Sequence, residues 1–167
     1  NIWEFPNIRD EWEYFIQNVT TPTLFGGRSD IILWGKGKGI LQSFPSAHNF
    51  PSNRMNGFEV LGNWGIRITQ MTDPKCTLYT GEIFGKSAGT LVLNNNQLLP
   101  AVWCFCNSDM FITEVNKINQ SLYRPVGTFL KVPFDLDHWQ KVAEEKYPKG
   151  LPKPYSDDAT QWLFHGH

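Results

Sequence analysis

Apolar positions recur along this chain of 167 residues with two different periods. Ile8, Trp12, Phe15, Ile16 and Val19 fall on one helical face. Asn7 stands as N-cap, with Asp10 three residues on, and Thr20-Thr-Pro-Thr closes the segment, so the spacing predicts an N-terminal helix. Ile31-Ile-Leu-Trp34 reads as a short strand. Ile66-Arg-Ile-Thr69 and Cys76-Thr-Leu-Tyr-Thr80 alternate as strands around a turn at Thr72-Asp-Pro-Lys75. Gly89-Thr-Leu-Val-Leu93 reads as another strand, closed by Asn residues.

The helical period then takes over. Leu98 to Phe105 predicts a helix, with Pro100 tolerable in its first turn. Ser108 or Asp109 opens a longer one reaching Leu122, with Phe111, Val115, Ile118 and Leu122 in line. Gly127 to Val132 alternates like a strand and ends at Pro133. Asp135 caps a last helix through Tyr147, and a Pro- and Gly-rich tail follows. Elements in this mixed order predict an α+β single domain, with a small mixed or antiparallel sheet, three to four helices and long loops. The expected core includes Trp12, Phe15, Ile66, Ile68, Leu91, Val102, Phe111, Val115 and Ile118.

Three regions are expected within that domain. Residues 1–57 hold the N-terminal helix, a strand and a Gly-rich basic loop; residues 58–134 the main body; residues 135–167 a helix and an extended tail. The stretch from Gly35 to Gly62 is the loosest, and so long an excursion in a compact domain is usually functional. The chain starts at Asn1 without Met and stops at His165-Gly-His167, which reads as a domain excised from a larger protein.

Composition argues against disorder, at 41% hydrophobic and 19% charged residues. The three Cys point to a reducing compartment, and no apolar run has membrane-spanning length, so a cytoplasmic location is expected. Net charge is −1, which excludes a uniformly basic nucleic-acid clamp. Charge is uneven, however: residues 26–86 carry seven Lys/Arg against four acids.

Candidate chemistry is sparse. The chain has neither a Gly-x-Gly-x-x-Gly fingerprint nor a Gly-x-x-x-x-Gly-Lys-Ser/Thr P-loop. It also lacks the Asn/Asp-Pro-Pro-Tyr/Phe loop with which aminomethylating enzymes hold an extruded base. Cys104-x-Cys106 is too little for a zinc site and reads as two buried thiols. His165-x-His167 reads as structural. Pro133-Phe-Asp135 with Glu144-Glu-Lys146 echoes a nuclease pattern, but the acids fall on an expected surface helix. The basic centre is more suggestive, because Lys and Arg hold phosphates while Asn and Arg read base edges. Lys36, Lys38, Arg54, Asn56, Arg67, Lys75, Tyr79 and Lys86 form the candidate DNA surface. Asn56 and Arg67 are the expected base readers, and Arg67 and Tyr79 are expected to face solvent from their strands. A solvated loop remains the alternative.

Several phrases occur in a suggestive order. Gly62-Asn-Trp-Gly-Ile-Arg-Ile-Thr-Gln-Met71 precedes Thr77-Leu-Tyr-Thr-Gly-Glu-Ile-Phe84. Leu99-Pro-Ala-Val-Trp-Cys-Phe-Cys-Asn-Ser108 and Leu130-Lys-Val-Pro-Phe-Asp135 follow, and the tail from Pro152 to His167 completes the series. This order resembles the C-terminal part of large bacterial adenine-specific DNA methyltransferases of restriction-modification and phage-defence systems, over most of residues 58–167. Phe105-Cys-Asn-Ser108 and Val132-Pro-Phe134 match a helix phrase and a strand exit of the family's target recognition domain. The resemblance implies a non-catalytic module that reads double-stranded DNA. A separate catalytic domain of the same parent chain would then bind S-adenosylmethionine and transfer the methyl group. No cofactor, metal or membrane is implied for this segment. The alternative is a non-catalytic α+β domain that binds protein or ligand and has no nucleic-acid role.

Overall fold

Helix α1, Leu99–Cys106, is apolar on nearly every side, and such a helix must be covered by its neighbours. In the computed structural model, which describes residues 12–38 and 57–154, those neighbours are a sheet and two further helices. The sheet comprises β3 (Gly65–Thr69), β4 (Cys76–Tyr79) and β6 (Ala88–Val92), all antiparallel in the order β4-β3-β6. Every residue of β3 and β4 is buried. At Gly65 a Cβ would sit 2.1 Å from the Leu91 carbonyl oxygen, so only glycine allows the ladder to close there.

Helix α2, Asp109–Ile118, begins where the Ser108 hydroxyl accepts the Phe111 amide at 3.2 Å. Helix α4, Leu136–Lys146, begins where the Asp135 carboxylate accepts the His138 amide at 3.1 Å. Both caps satisfy an amide with no partner inside the helix. Phe105 on α1 packs its ring 5.3 Å from Phe111 of α2 and 5.3 Å from Trp139 of α4. Burying Phe111 contributes about 1.5–3 kcal/mol. The Trp103 indole N–H, also buried, donates to the Tyr147 hydroxyl at 3.2 Å.

A second sheet has the order β2-β1-β5, formed by β1 (Trp12–Ile16), β2 (Asp30–Leu33) and β5 (Ile83–Phe84). It is mixed: β2 runs antiparallel to β1 and β5 parallel to it. The two sheets are stitched at the free edge of β4, where the Leu78 amide donates to the Leu24 carbonyl and the Thr23 amide to the Cys76 carbonyl. That strip caps an edge that would otherwise expose unpaired backbone.

The α+β class, the small mixed and antiparallel sheets and the four helices match the expected architecture. Three local readings are corrected. Trp12–Ile16 is a strand, because β2 and β5 pair with it from both sides, and a partner some 70 residues away is invisible to local periodicity. The upstream cap at Asn7 lies outside the described residues. Residues 127–132 form no strand: α3, Val126–Phe129, takes the first three and a turn the rest, the helix being started by the Thr128 amide bonding the Pro125 carbonyl. Helix α2 stops at Ile118 and does not reach Leu122. The Asn119 side chain stops it by accepting the Ser121 amide at 2.8 Å, a local turn that competes with another helical bond.

Of the expected core, Ile66, Ile68, Phe111 and Val115 are fully buried. Leu91 and Val102 are partly buried against the core, while Trp12 and Phe15 are half-buried in the second sheet. Ile118 is exposed, because the helix ends beneath it.

Candidate nucleic-acid interface

Two of the expected DNA-facing residues lie in the interior. Arg67 is 2% exposed and Tyr79 is fully buried, which corrects the expectation that both face solvent. Their strands, β3 and β4, are covered on both faces, by α1 on one side and by Phe84 of β5 on the other, so the period of two has no wet side. The Arg67 guanidinium lies 5.2 Å from the Phe84 ring centre and donates to the Gly85 carbonyl at 2.9 Å and the Thr90 hydroxyl at 3.2 Å. Tyr79 donates to the Glu82 carbonyl at 2.7 Å and meets Phe84 edge to face.

A third group completes this layer. Arg28 donates through Nε to the Glu82 carboxylate at 2.5 Å, and to the Leu78 and Gly26 carbonyls. The same carboxylate accepts the Thr80 amide and hydroxyl. Burial pushes Arg67 down to about 10, opposed by Tyr79 and by the Glu82 charge. It pushes Arg28 down too, opposed by Glu82. Burial and the Glu82 charge push Tyr79 up. The layer thus gathers two arginines, a glutamate and a tyrosine in the interior between the sheets.

The remaining described candidates divide between two ends. Lys75 and Lys86 stand at one end of the β4-β3-β6 sheet, where β3 leaves and β4 and β6 enter. The Lys75 ammonium pairs with Asp73 at 2.7 Å. Lys86 is exposed and has no ion-pair partner among the described residues. Lys36 and Lys38 follow β2, beside the start of β1, where the Lys36 charge opposes the burial that raises Glu13. β1 then runs to Phe84, on the order of 15 Å away by strand rise, so the two pairs are not one patch. Gly35, Lys36 and Gly37 all have positive φ, and Lys36 at 54° pays the cost of a left-handed non-glycine residue. Arg54 and Asn56 lie outside the described residues.

At the Lys75/Lys86 end the structure assembles residues that the periodicities do not mark. The Gln70 amide donates to the Ser87 carbonyl at 3.3 Å, and the Arg124 amide to the Gln70 carbonyl at 3.0 Å. The turn at Ser87, the exit of β3 at Gln70 and the loop at Arg124 are therefore joined backbone to backbone. Met71, Leu122 and Tyr123 are 56%, 76% and 55% exposed on them, while Arg124 is 1% exposed. The Arg124 guanidinium donates to the Thr72 carbonyl and, at 2.5 Å, to Asn116. No carboxylate lies within ion-pair distance of it among the described residues. A reading of Tyr123-Arg124 as an aromatic beside a cation was available in the sequence. A buried arginine facing inward there was not.

The other motifs resolve locally. Asp135 is spent on its helix cap, and Glu144 and Glu145 stand exposed near the far end of α4, so these acids do not converge. The Cys106 thiol is pushed up by its hydrogen bond with the Cys76 thiol and by burial, and burial raises Cys104 despite Lys146. Among the described residues no group of three or more His, Cys, Asp or Glu side chains could hold a metal ion. His165 and His167 lie outside the described residues. Among those residues, too, no helix is long and apolar enough to cross a membrane. No protein-family model, curated protein or solved structure matches the chain.

Proposed function

We propose that this chain is the DNA target-recognition module of an adenine-specific DNA methyltransferase of the restriction-modification or phage-defence type. One observation carries the reading. The four described phrases that resemble such enzymes fall on consecutive parts of one packed body: β3, then β4 and β5, then α1 with the cap of α2, then the turn into α4. Within those phrases Ser108 and Asp135 are the caps of α2 and α4, and Val132 is buried in the core. The resembling residues are thus the ones that hold the scaffold.

Lys75 and Lys86 are its proposed phosphate contacts, and Lys36, Lys38, Arg54 and Asn56 a second group. Arg67 and Tyr79 support the surface from within. S-adenosylmethionine belongs to the catalytic domain of the parent, since this sequence lacks both the cofactor fingerprint and the base-holding loop. The alternative, a protein- or ligand-binding domain with no nucleic-acid role, draws support from Leu130, whose aliphatic side chain stands exposed after α3.

Salt-titrated binding of duplex DNA by the full-length protein tests the reading. Lys75→Ala and Lys86→Ala are each expected to weaken binding to all sequences and to lower the salt slope by about one unit. Equal affinity and slope in wild type and both variants would leave the surface without a DNA role.

A further inference from the structure

We infer that Cys76 and Cys106 form a latent disulfide site, at which a hydroperoxide couples β4 to the end of α1. The inference stands apart from the DNA-recognition reading, and neither depends on the other.

Cys76 opens β4, Cys106 closes α1, and the two elements pack against each other. The Cys76 thiol donates to the Cys106 carbonyl at 3.4 Å, and both residues are buried. That carbonyl is among the last of the helix, which have no partner inside it. The two thiols also hydrogen-bond to each other, and this bond and burial push the Cys106 thiol up. Sulfurs already in contact have only to close the distance from a hydrogen bond to a covalent one.

Helix geometry excludes the third cysteine. Cys104 stands two residues before Cys106, about 200° round the axis of α1. Its thiol lies toward Lys146 of α4, whose charge opposes the burial that raises it. Residues at that spacing do not face each other, so Cys104 and Cys106 are no pair.

The chemistry is a two-electron oxidation. One thiol takes an oxygen atom from the hydroperoxide and becomes a sulfenic acid, and the reduced peroxide leaves as water or an alcohol. The second thiol attacks that sulfur: the S–S bond forms, and the hydroxyl departs as water with the second thiol's proton. A thiol held protonated in the interior is a slow nucleophile, so the reaction follows opening of the last turn of α1. The product closes a loop across a separation of 30 residues. It also fixes β4 to the turn at Asn107 and Ser108 from which α2 starts.

The test treats the native full-length protein with hydrogen peroxide. The remaining thiols are alkylated in denaturant, and a tryptic digest is mapped without reductant. Cleavage after Lys75, Lys86 and Lys117 puts Cys76 on one peptide and Cys104 and Cys106 together on another. These two peptides are expected joined, reversibly by a thiol reductant, in wild type and in Cys104→Ala, and separate in Cys106→Ala. Fragmentation of the joined wild-type peptides locates the bonded residue whether or not Cys106→Ala folds. The oxidised wild type is expected to melt about 10 °C above the reduced protein. A bond to Cys104 overturns the inference. So does recovery of Cys76 and Cys106 as free thiols or as sulfinic acids. A Cys76–Cys106 bond with an unchanged or lowered melting temperature also overturns it, since the bond would then have formed outside the native packing.

Discussion

The three arginines of the described residues lie in the interior, whereas Lys86, Lys36 and Lys38 stand on the surface and Lys75 is half-buried. Both residue types carry the same formal charge, and both count equally in a tally of basic residues. The difference is one of hydration and shape. A guanidinium is weakly hydrated and planar, so carbonyl and hydroxyl acceptors can saturate much of it, as Gly85 and Thr90 do for Arg67. An ammonium is strongly hydrated and rarely repays burial. The layer between the sheets is therefore a structural clamp made of charge, and the rim is a solvated surface. Basic residues in the sequence mark a nucleic-acid surface only after the arginines have been sorted from the lysines.

This comparison breaks most readily at Arg28. Arg28→Ala leaves the Glu82 carboxylate buried without its cation and should cost about 3–5 kcal/mol, read by chemical denaturation. A loss under 1 kcal/mol, on the same scale, would mean that water or another group compensates it and that the layer is no clamp.

Arg67→Lys asks whether charge alone suffices. The ammonium cannot span the Gly85 carbonyl and the Thr90 hydroxyl as the planar fork does, so a loss of about 1–3 kcal/mol is expected with net charge unchanged. Wild-type stability in this variant would erase the distinction between the two cations.

Tyr79→Phe sharpens the comparison through pH. It removes the bond to the Glu82 carbonyl, a loss of about 1 kcal/mol at neutral pH. The folded protein holds Tyr79 protonated above its ordinary value of 10.0, so the phenol's contribution is complete below that value and is lost as pH rises beyond it. The stability gap between wild type and variant should therefore close above pH 10. Arg67 acts in the opposite sense: lowered to about 10 from 12.5, it disfavours folding below that window, and this penalty is relieved as pH rises through it. Denaturation midpoints of both proteins across the alkaline range check the sign, and a gap that widens would reverse it.

The smallest effect belongs to the rim. Lys75→Ala and Lys86→Ala should each change stability by no more than about 0.5 kcal/mol, read in the same denaturation experiment. A large loss at either would move that lysine into the clamp category and out of the DNA surface.

Much of the scaffold is written locally. Ser108 and Asp135 sit one residue before their helices and announce them, and Thr72-Asp-Pro-Lys75 separates two alternating runs that become β3 and β4. Caps and turns act within a few residues, so no distant partner is needed to recognise them. Trp12–Ile16 shows the limit. Its spacing suits a helix, but β2 and β5 offer it hydrogen bonds on both edges, and backbone pairing outweighs a local preference. The rim shows the same limit for function. Met71, Leu122 and Arg124 become neighbours only because the exit of β3 bonds to a loop that follows α2. Their chemistry could be read from the chain, and so could the scarcity of catalytic motifs in it. Which basic side chains meet water was decided by two sheets closing over Arg28 and Arg67, a contact between segments far apart in sequence that no local pattern encodes.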